Sequence, residues 1–237
     1  LNAPTLSVII PAYNEAARIG QTLIDLDRYL REHQISSEII VVDDGSRDDT
    51  VKVVQELNLP RLRVVLNECN RGKGFSVRHG FRQSGGRYTL FMDADGATSM
   101  EEIGKFIELM PQGYDLLFAS RYLKESVLPV PQGRWRNITA LVFRKAVRLL
   151  FRFPYRDTQC GFKMFSPRAV QTILQHSKED GFVFDIEFLY WARKANLKIR
   201  EVAVTWTDQK GSSVGFISGP LKMSWRILSL RIRNLLQ

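Results

Sequence analysis

A chain of 237 residues is long enough for one sizeable domain with a full core, and only marginally long enough for two. Its 44% hydrophobic and 25% charged residues are ordinary for a soluble globular protein and exclude general disorder. The net charge of +9 is concentrated: Arg121 to Arg156 holds nine Lys or Arg against one acid, Glu125, and 219–237 holds four against none. Such a bias attracts phosphate, whether on nucleic acid, lipid or nucleotide.

The two cysteines, Cys69 and Cys160, fit neither a metal-binding CxxC nor a disulfide framework, so reduced thiols are expected. The segment "LNAPTLSVIIPAYNE" lacks the basic and apolar regions of a secretory signal, and no run approaches the roughly 18 apolar residues of a spanning helix. A cytoplasmic protein that meets membranes from the surface is therefore the expectation.

In chain order, "LSVII" (6–10) reads as a buried strand, and 15–33 places Ile19, Leu23, Leu26 and Leu30 at helical spacing. Further strands are expected in "EIIVVDD" (38–44), "RLRVVLN" (61–67), "YTLFMDAD" (88–95) and "DLLFAS" (115–120), with helices near 48–57, 73–83 and 100–110. This alternation predicts an α/β fold with a mostly parallel sheet covered by helices on both faces. In the second half, helices are expected over 136–152, 167–175, 184–195 and 219–236, with a late strand in "IREVAVTW" (199–206). Ligands of such sheets bind beyond the carboxyl ends of the strands. The polar clusters "PAYNE", "DDGS" and "DADG" fall there, after the first, second and fourth strands.

Each cluster has a plain reading beside a chemical one. "VVDDGSRDDT" is a turn with a helix cap, or it brings Asp43 and Asp44 to a nucleotide. "RGKG" (71–74) is a solvated turn, or its glycines allow close approach of a phosphate that Arg71 and Lys73 neutralise. No Walker loop and no dinucleotide GxGxxG is present. In "DADG", Asp93 and Asp95 repel each other unless a cation or hydrogen-bond donors compensate, which suits Mg²⁺ or Mn²⁺ bridging to a diphosphate. A phosphoaspartyl phosphatase also carries DxDG, with Ser120 and Lys163 as its further members. That motif belongs on a first core strand, whereas three strand-helix units precede it here.

The basic segments are periodic. Arg144, Arg148 and Arg152 form a stripe opposite Leu141, Val142, Leu149 and Leu150, and Lys222, Arg226 and Arg233 oppose Leu221, Trp225, Leu228 and Leu235. Two basic amphipathic helices suit an anionic membrane surface. Nucleic acid would use the same charge, but no recognised nucleic-acid motif accompanies it, and none is expected as a partner.

With "PAYNE", "DDGS", "RGKG" and "DADG" in this order, residues 1–125 resemble the family 2 glycosyltransferases of GT-A fold. "RDTQCGFKMF" (156–165), "FDIEFL" (184–189), and "VTW" followed by "KGSSV" look like the dolichyl-phosphate β-glucosyltransferase branch, close to the dolichyl-phosphate mannose synthases. The resemblance implies one GT-A domain over 1–237: a nucleotide-sugar half (1–125) and an acceptor half with the basic helices (126–237). It implies transfer of a hexose, glucose from UDP-glucose, to a polyprenyl phosphate with inversion. GDP-mannose as donor, or another acceptor, is the alternative.

Carried over by motif, Pro11, Tyr13, Glu15 and Asp43, with Asp44 and Lys73, would hold the nucleotide sugar, and Asp93 and Asp95 would face Mg²⁺ or Mn²⁺. Arg121, Arg134 and Arg136 would grip donor diphosphate or acceptor phosphate. Gln159 and Lys163, beside Asp157, would lie on the acceptor side with Lys210 and Ser213. Asp185 and Glu187 would face the sugar, Asp185 orienting hydroxyls or serving as base. A phosphate monoester is already an anion at neutral pH, so it needs no strong base. Two positions depart from the family pattern: Ala97 stands where mannose synthases carry Gln, and Ser213 where the glucosyltransferase branch carries Lys. A membrane-spanning segment common in the branch is also missing from the sequence, and peripheral docking through the basic helices is the expected substitute.

Overall fold

The computed structural model describes residues 3–129, 134–207 and 226–233, with side chains in the second span described from Ala140 onward. Its centre is a seven-stranded sheet made of β1 (Leu6–Ala12), β2 (Ser37–Asp43), β3 (Leu62–Leu66), β4 (Tyr88–Met92), β5 (Leu116–Ser120), β6 (Phe162–Phe165) and β7 (Ile199–Ala203). The spatial order is β3-β2-β1-β4-β6-β5-β7. β6 pairs antiparallel with both β4 and β5, while the other pairings are parallel.

The apolar runs become strands because both faces of the sheet are covered. Alternate residues serve opposite sides, as the two-residue period requires. Val8, Ile10, Ile39, Val41, Leu90 and Met92 join one core cluster, with Ile19, Leu23, Leu26 and Leu30 of α1 (Ile19–Glu32) and Ile103 and Phe106 of α4 (Glu102–Leu109). Ile9, Ile40, Val42 and Phe91 join the other, under α3 (Lys73–Gln83), α5 (Arg134–Phe151), α6 (Pro167–His176) and α7 (Phe184–Lys194). The four α1 side chains are fully buried, each stabilising by about 1.5–3 kcal/mol. A short α2 (Thr50–Glu56) completes the first half.

Chain order reverses at β1: β2 and β3 lie to one side of it and β4 to the other. A crevice therefore opens at the carboxyl ends of β1 and β4, the ligand position of open α/β sheets.

Several sequence expectations are corrected. The first helix starts at Ile19 rather than Glu15, because 13–18 form a loop braced by the next polar cluster. Asn14 N–H donates to Ser46 Oγ (2.9 Å), Glu15 N–H to Thr50 Oγ1 (2.8 Å), and Arg47 N–H to Asn14 Oδ1 (2.8 Å). The fourth strand ends at Met92, so Asp93 and Asp95 lie beyond it. Strand β6 was not foreseen. In α5, Leu141, Val142 and Leu149, expected opposite the arginine stripe, are exposed together with Arg148, Leu149 by 81%. Val147 and Phe151 join the core, Phe151 against the rings of Phe153 and Tyr190. Arg144, expected in the exposed stripe, lies over the Tyr122 ring at 3.3 Å. In the terminal basic segment 226–233 is helical, with Ile227 and Leu230 buried. Lys222, Leu221, Trp225 and Leu235 lie outside the described residues.

Candidate active site

Three strand ends converge on the crevice: Pro11 to Glu15 at the end of β1, Asp43 and Asp44 at the end of β2, and Asp93 to Asp95 just past β4. Pro11 is buried within β1, Tyr13 is 37% exposed, and Glu15 forms a forked pair with Arg18 (2.8 and 2.7 Å). Burial pushes the Glu15 carboxyl up, and Arg18 offsets part of that.

Asp43 is buried, and its two oxygens differ. Oδ2 accepts the N–H groups of Gly45 (3.1 Å) and Ser46 (3.0 Å), whereas Oδ1 has no hydrogen-bond partner among the described residues. A buried carboxylate oxygen without a donor is costly, and this one is open to a further donor. Asp44 acts differently from the direct ligand contact that sequence suggested. It accepts from Asn67 Nδ2 (2.8 Å), Arg71 N–H (2.9 Å) and Gly72 N–H (2.8 Å), and so shapes the 71–74 turn.

That turn delivers Lys73 to Asp93, with Nζ 2.6 Å from Oδ1. Burial would lower the Lys73 ammonium, but the Asp93 charge and hydrogen bond outweigh it and raise it. Among the described residues no lysine pairs with Asp95 in this way. Burial, then repulsion from Asp93, pushes its carboxyl up, although Ala97 N–H donates to Oδ1 at 3.1 Å. Two crowded carboxylates in this state fit a hard divalent cation of the Mg²⁺ or Mn²⁺ type. Among the described residues no third His, Cys, Asp or Glu joins them, so most of the cation's shell would come from water and ligand phosphate.

Asp93 is backed by the start of β6. Met92 pairs with Phe162, and Asp93 N–H donates to Gly161 O at 3.0 Å. A Cβ on Gly161 would lie 2.0 Å from Asp93 Oδ2, so any other residue there would push the carboxylate aside. The only cue in the sequence is the glycine of "CGFKMF", whose partner lies 68 positions away. Thr22 of α1, also unforeseen, donates to Ala94 O at 2.9 Å and fixes the acidic loop from the opposite side.

Lys163 was expected on the acceptor side, but the structure buries it completely. Its Nζ donates to Asp185 Oδ1 and Cys160 O, both at 2.6 Å. It supports Asp185 from beneath and has no exposed surface for a phosphate. Burial pushes the Asp185 carboxyl up, partly offset by Lys163; burial also pushes the Cys160 thiol up to about 12, leaving it inert.

Arg121 is likewise committed. Its Nε and Nη2 reach Asp157 at 2.7 and 3.0 Å, a planar two-point pair. Burial alone would raise Asp157, but Arg121 outweighs it and holds the carboxyl below the usual range. Gln159 is half-buried and donates its N–H to Asp157 Oδ1 at 3.2 Å. Glu187, expected near the sugar, is 1% exposed and bonded to Arg233 at 2.7 Å. The side chains of Arg134 and Arg136, and all of Lys210 and Ser213, lie outside the described residues.

A mostly parallel sheet with one antiparallel insertion, carrying an acidic pair and a lysine at its switch point, is the architecture of a GT-A glycosyltransferase. The chain superposes on glucosyl-3-phosphoglycerate synthase from Mycobacterium tuberculosis, crystallised with Mn²⁺, UDP and glucosyl-3-phosphoglycerate, with a TM-score of 0.75 and 20% identity over 96% of this chain and 80% of that one. Residues 7–174 match the glycosyl transferase family 2 model, and the chain belongs to that family. It is 36% identical over 245 residues to the dolichyl-phosphate beta-glucosyltransferase of Dictyostelium discoideum, covering 98% of this chain and 75% of that protein. Identity to the protein of the same name from Saccharomyces cerevisiae is 34% over 251 residues, with 98% and 75% coverage. For the Homo sapiens protein of that name it is 33% over 251 residues, with 99% and 78% coverage.

Proposed function

We propose that the protein is an inverting hexosyltransferase that moves glucose from UDP-glucose to a polyprenyl phosphate of the dolichyl type. The observation that carries the donor assignment is the unpartnered Oδ1 of Asp43. With Oδ2 filled by two backbone donors, one acceptor remains, which matches the single imide N–H of uracil. Guanine presents adjacent N–H groups that call for both oxygens of a carboxylate. The acceptor assignment rests on the near-full-length likeness to dolichyl-phosphate beta-glucosyltransferases.

Asp95, with Asp93, would hold Mg²⁺ or Mn²⁺, which supplies positive charge beside the departing nucleoside diphosphate. Lys73, already beside Asp93, adds a second cation on the same side. The acceptor phosphate is ionised at neutral pH and attacks without a strong base. Asp185 suits that chemistry: with one oxygen held by Lys163, it orients sugar hydroxyls. Arg134, Arg136, Lys210 and Ser213 remain the groups proposed for the acceptor phosphate, while Arg121 and Lys163 act through Asp157 and Asp185.

No helix among the described residues is long and apolar enough to cross a membrane. Docking on the cytoplasmic face of an anionic membrane is proposed through the exposed side of α5. There Leu141, Val142 and Leu149 stand beside Lys145, Arg148 and Arg152, and an open groove of about 480 Å³ is lined by basic residues from α5 and by Arg193.

The deciding experiment incubates the protein with polyprenyl phosphate, Mg²⁺ or Mn²⁺ and a panel of UDP- and GDP-sugars. Glucosyl transfer from UDP-glucose, abolished by EDTA and in Asp95→Ala, is the expected result. Faster transfer from GDP-mannose would overturn the donor assignment, and full activity in EDTA the metal. Flotation with anionic vesicles should fall in Leu149→Glu and Arg148→Glu; unchanged flotation rejects the α5 surface.

A further inference from the structure

The 71–74 turn is held from two sides, by the Asp44 carboxylate and by the backbone of 179–180. Gly72, at φ 103°, and Gly74 press against the backbone of 179–180: a Cβ on either would lie 2.3 Å from Asp180 O or Glu179 O, respectively. Gly74 N–H donates to Asp180 O at 2.8 Å, and Arg78 of α3 donates to Glu179 O at 2.6 Å and pairs with the Asp180 carboxylate. The 177–181 segment is thus the seat on which the turn carrying Lys73 rests.

That seat is fastened by Glu187. Its Oε2 accepts from Ser177 Oγ, Lys178 N–H (2.9 Å) and Glu179 N–H (2.8 Å), while Oε1 accepts from Arg233 of the 226–233 helix (2.7 Å). The same helix reaches Glu179 through Arg226 (3.5 Å) and Arg233 (3.7 Å). Glu187 is almost wholly buried, where charge-assisted bonds are strong and a lost partner is expensive.

We propose that Glu187 and Arg233 are positioning residues: by clamping the 177–179 backbone to the 226–233 helix, they set the seat from which the 71–74 turn presents Lys73 to Asp93 and the donor diphosphate. The role of the diphosphate rests on the function proposed above, whereas the mechanical link does not. Neither residue touches the nucleotide; both act through the backbone of 179–180. Glycines at 72 and 74 make the link stiff, because backbone meets backbone without an intervening side chain.

Two measurements on the full chain separate these layers. Amide hydrogen exchange in Arg233→Met should accelerate at Gly74 and Phe75, whose N–H groups meet Asp180 O, as well as in the helix itself. Calorimetry with UDP and Mn²⁺ should show Arg233→Met weakening binding about fivefold, but adding little in a Lys73→Met background, as expected for coupled sites. Glu187→Gln, which keeps one oxygen for the 177–179 donors, should match Arg233→Met, and Arg233→Lys should recover part of the loss. Faster exchange confined to 226–233, or equal weakening with and without Lys73, overturns the proposal. Faster exchange at 74–75 with UDP binding unaffected by Lys73→Met supports the link and instead overturns the role given to Lys73.

Discussion

Lys163→Met is the most demanding test of how the site is built. Methionine matches much of the side-chain volume, so packing changes little and the charge is what disappears. The side chains of Lys163 and Asp185 are 0% and 7% exposed, and removing one partner of such a buried pair costs about 3–5 kcal/mol. In a chain of this length each kcal/mol moves Tm by about 2–4 °C, so a drop of roughly 6–20 °C is expected from these two figures together. Thermal unfolding followed by circular dichroism reads the Tm, and urea unfolding the free energy. Adding Asp185→Asn removes the stranded carboxylate and should restore more than half of the lost stability. A single-variant loss below about 1 kcal/mol, the scale of an exposed pair, would refute the reasoning. A double variant as unstable as the sum of its singles would refute it equally.

Gly161→Ala places a Cβ against the Asp93 carboxylate; kcat should fall by about 10²-fold, the cost of a misplacement near 1 Å, with normal turnover as the contrary result. Asp43→Asn turns a lone acceptor into an amide and should weaken UDP binding by about 10- to 100-fold, the worth of a hydrogen bond to a charged group, as read by calorimetry. Asp157 titrates lower in the folded than in the unfolded chain, so on acidification the unfolded state takes up the proton first. Its contribution is therefore full above the unfolded value of about 3.9 and lost as pH falls through the folded one. Asp157→Asn should flatten the acid limb of a stability–pH curve, and an unchanged limb would reject the pairing with Arg121.

Much of the fold was legible because its signals are local. Short apolar runs and helical spacing placed β1 to β5 and most helices within a few residues, and the strand-end clusters marked the crevice. β6 escaped because it has four residues, one of them a lysine, and because an antiparallel insertion breaks the alternation. The two sides of α5 do not divide as the spacing suggests for a related reason. Leu149 and Val147 are equally apolar, and tertiary packing around the helix decides which one is buried.

In the site itself, sequence by itself determined which chemistry was on offer: an acidic pair, a lysine turn and an aspartate cluster at strand ends. It could not determine which charges were already answered. Asp43 with one open oxygen, Asp44 folded onto a turn, Lys163 under Asp185 and Arg121 on Asp157 are outcomes of pairing across 22 to 36 residues or of backbone donors brought in by loops. The physical reason is solvation. A charge in water needs no particular partner, but one buried by tertiary packing must find one, and only the folded sheet decides which charges are buried and which face the crevice.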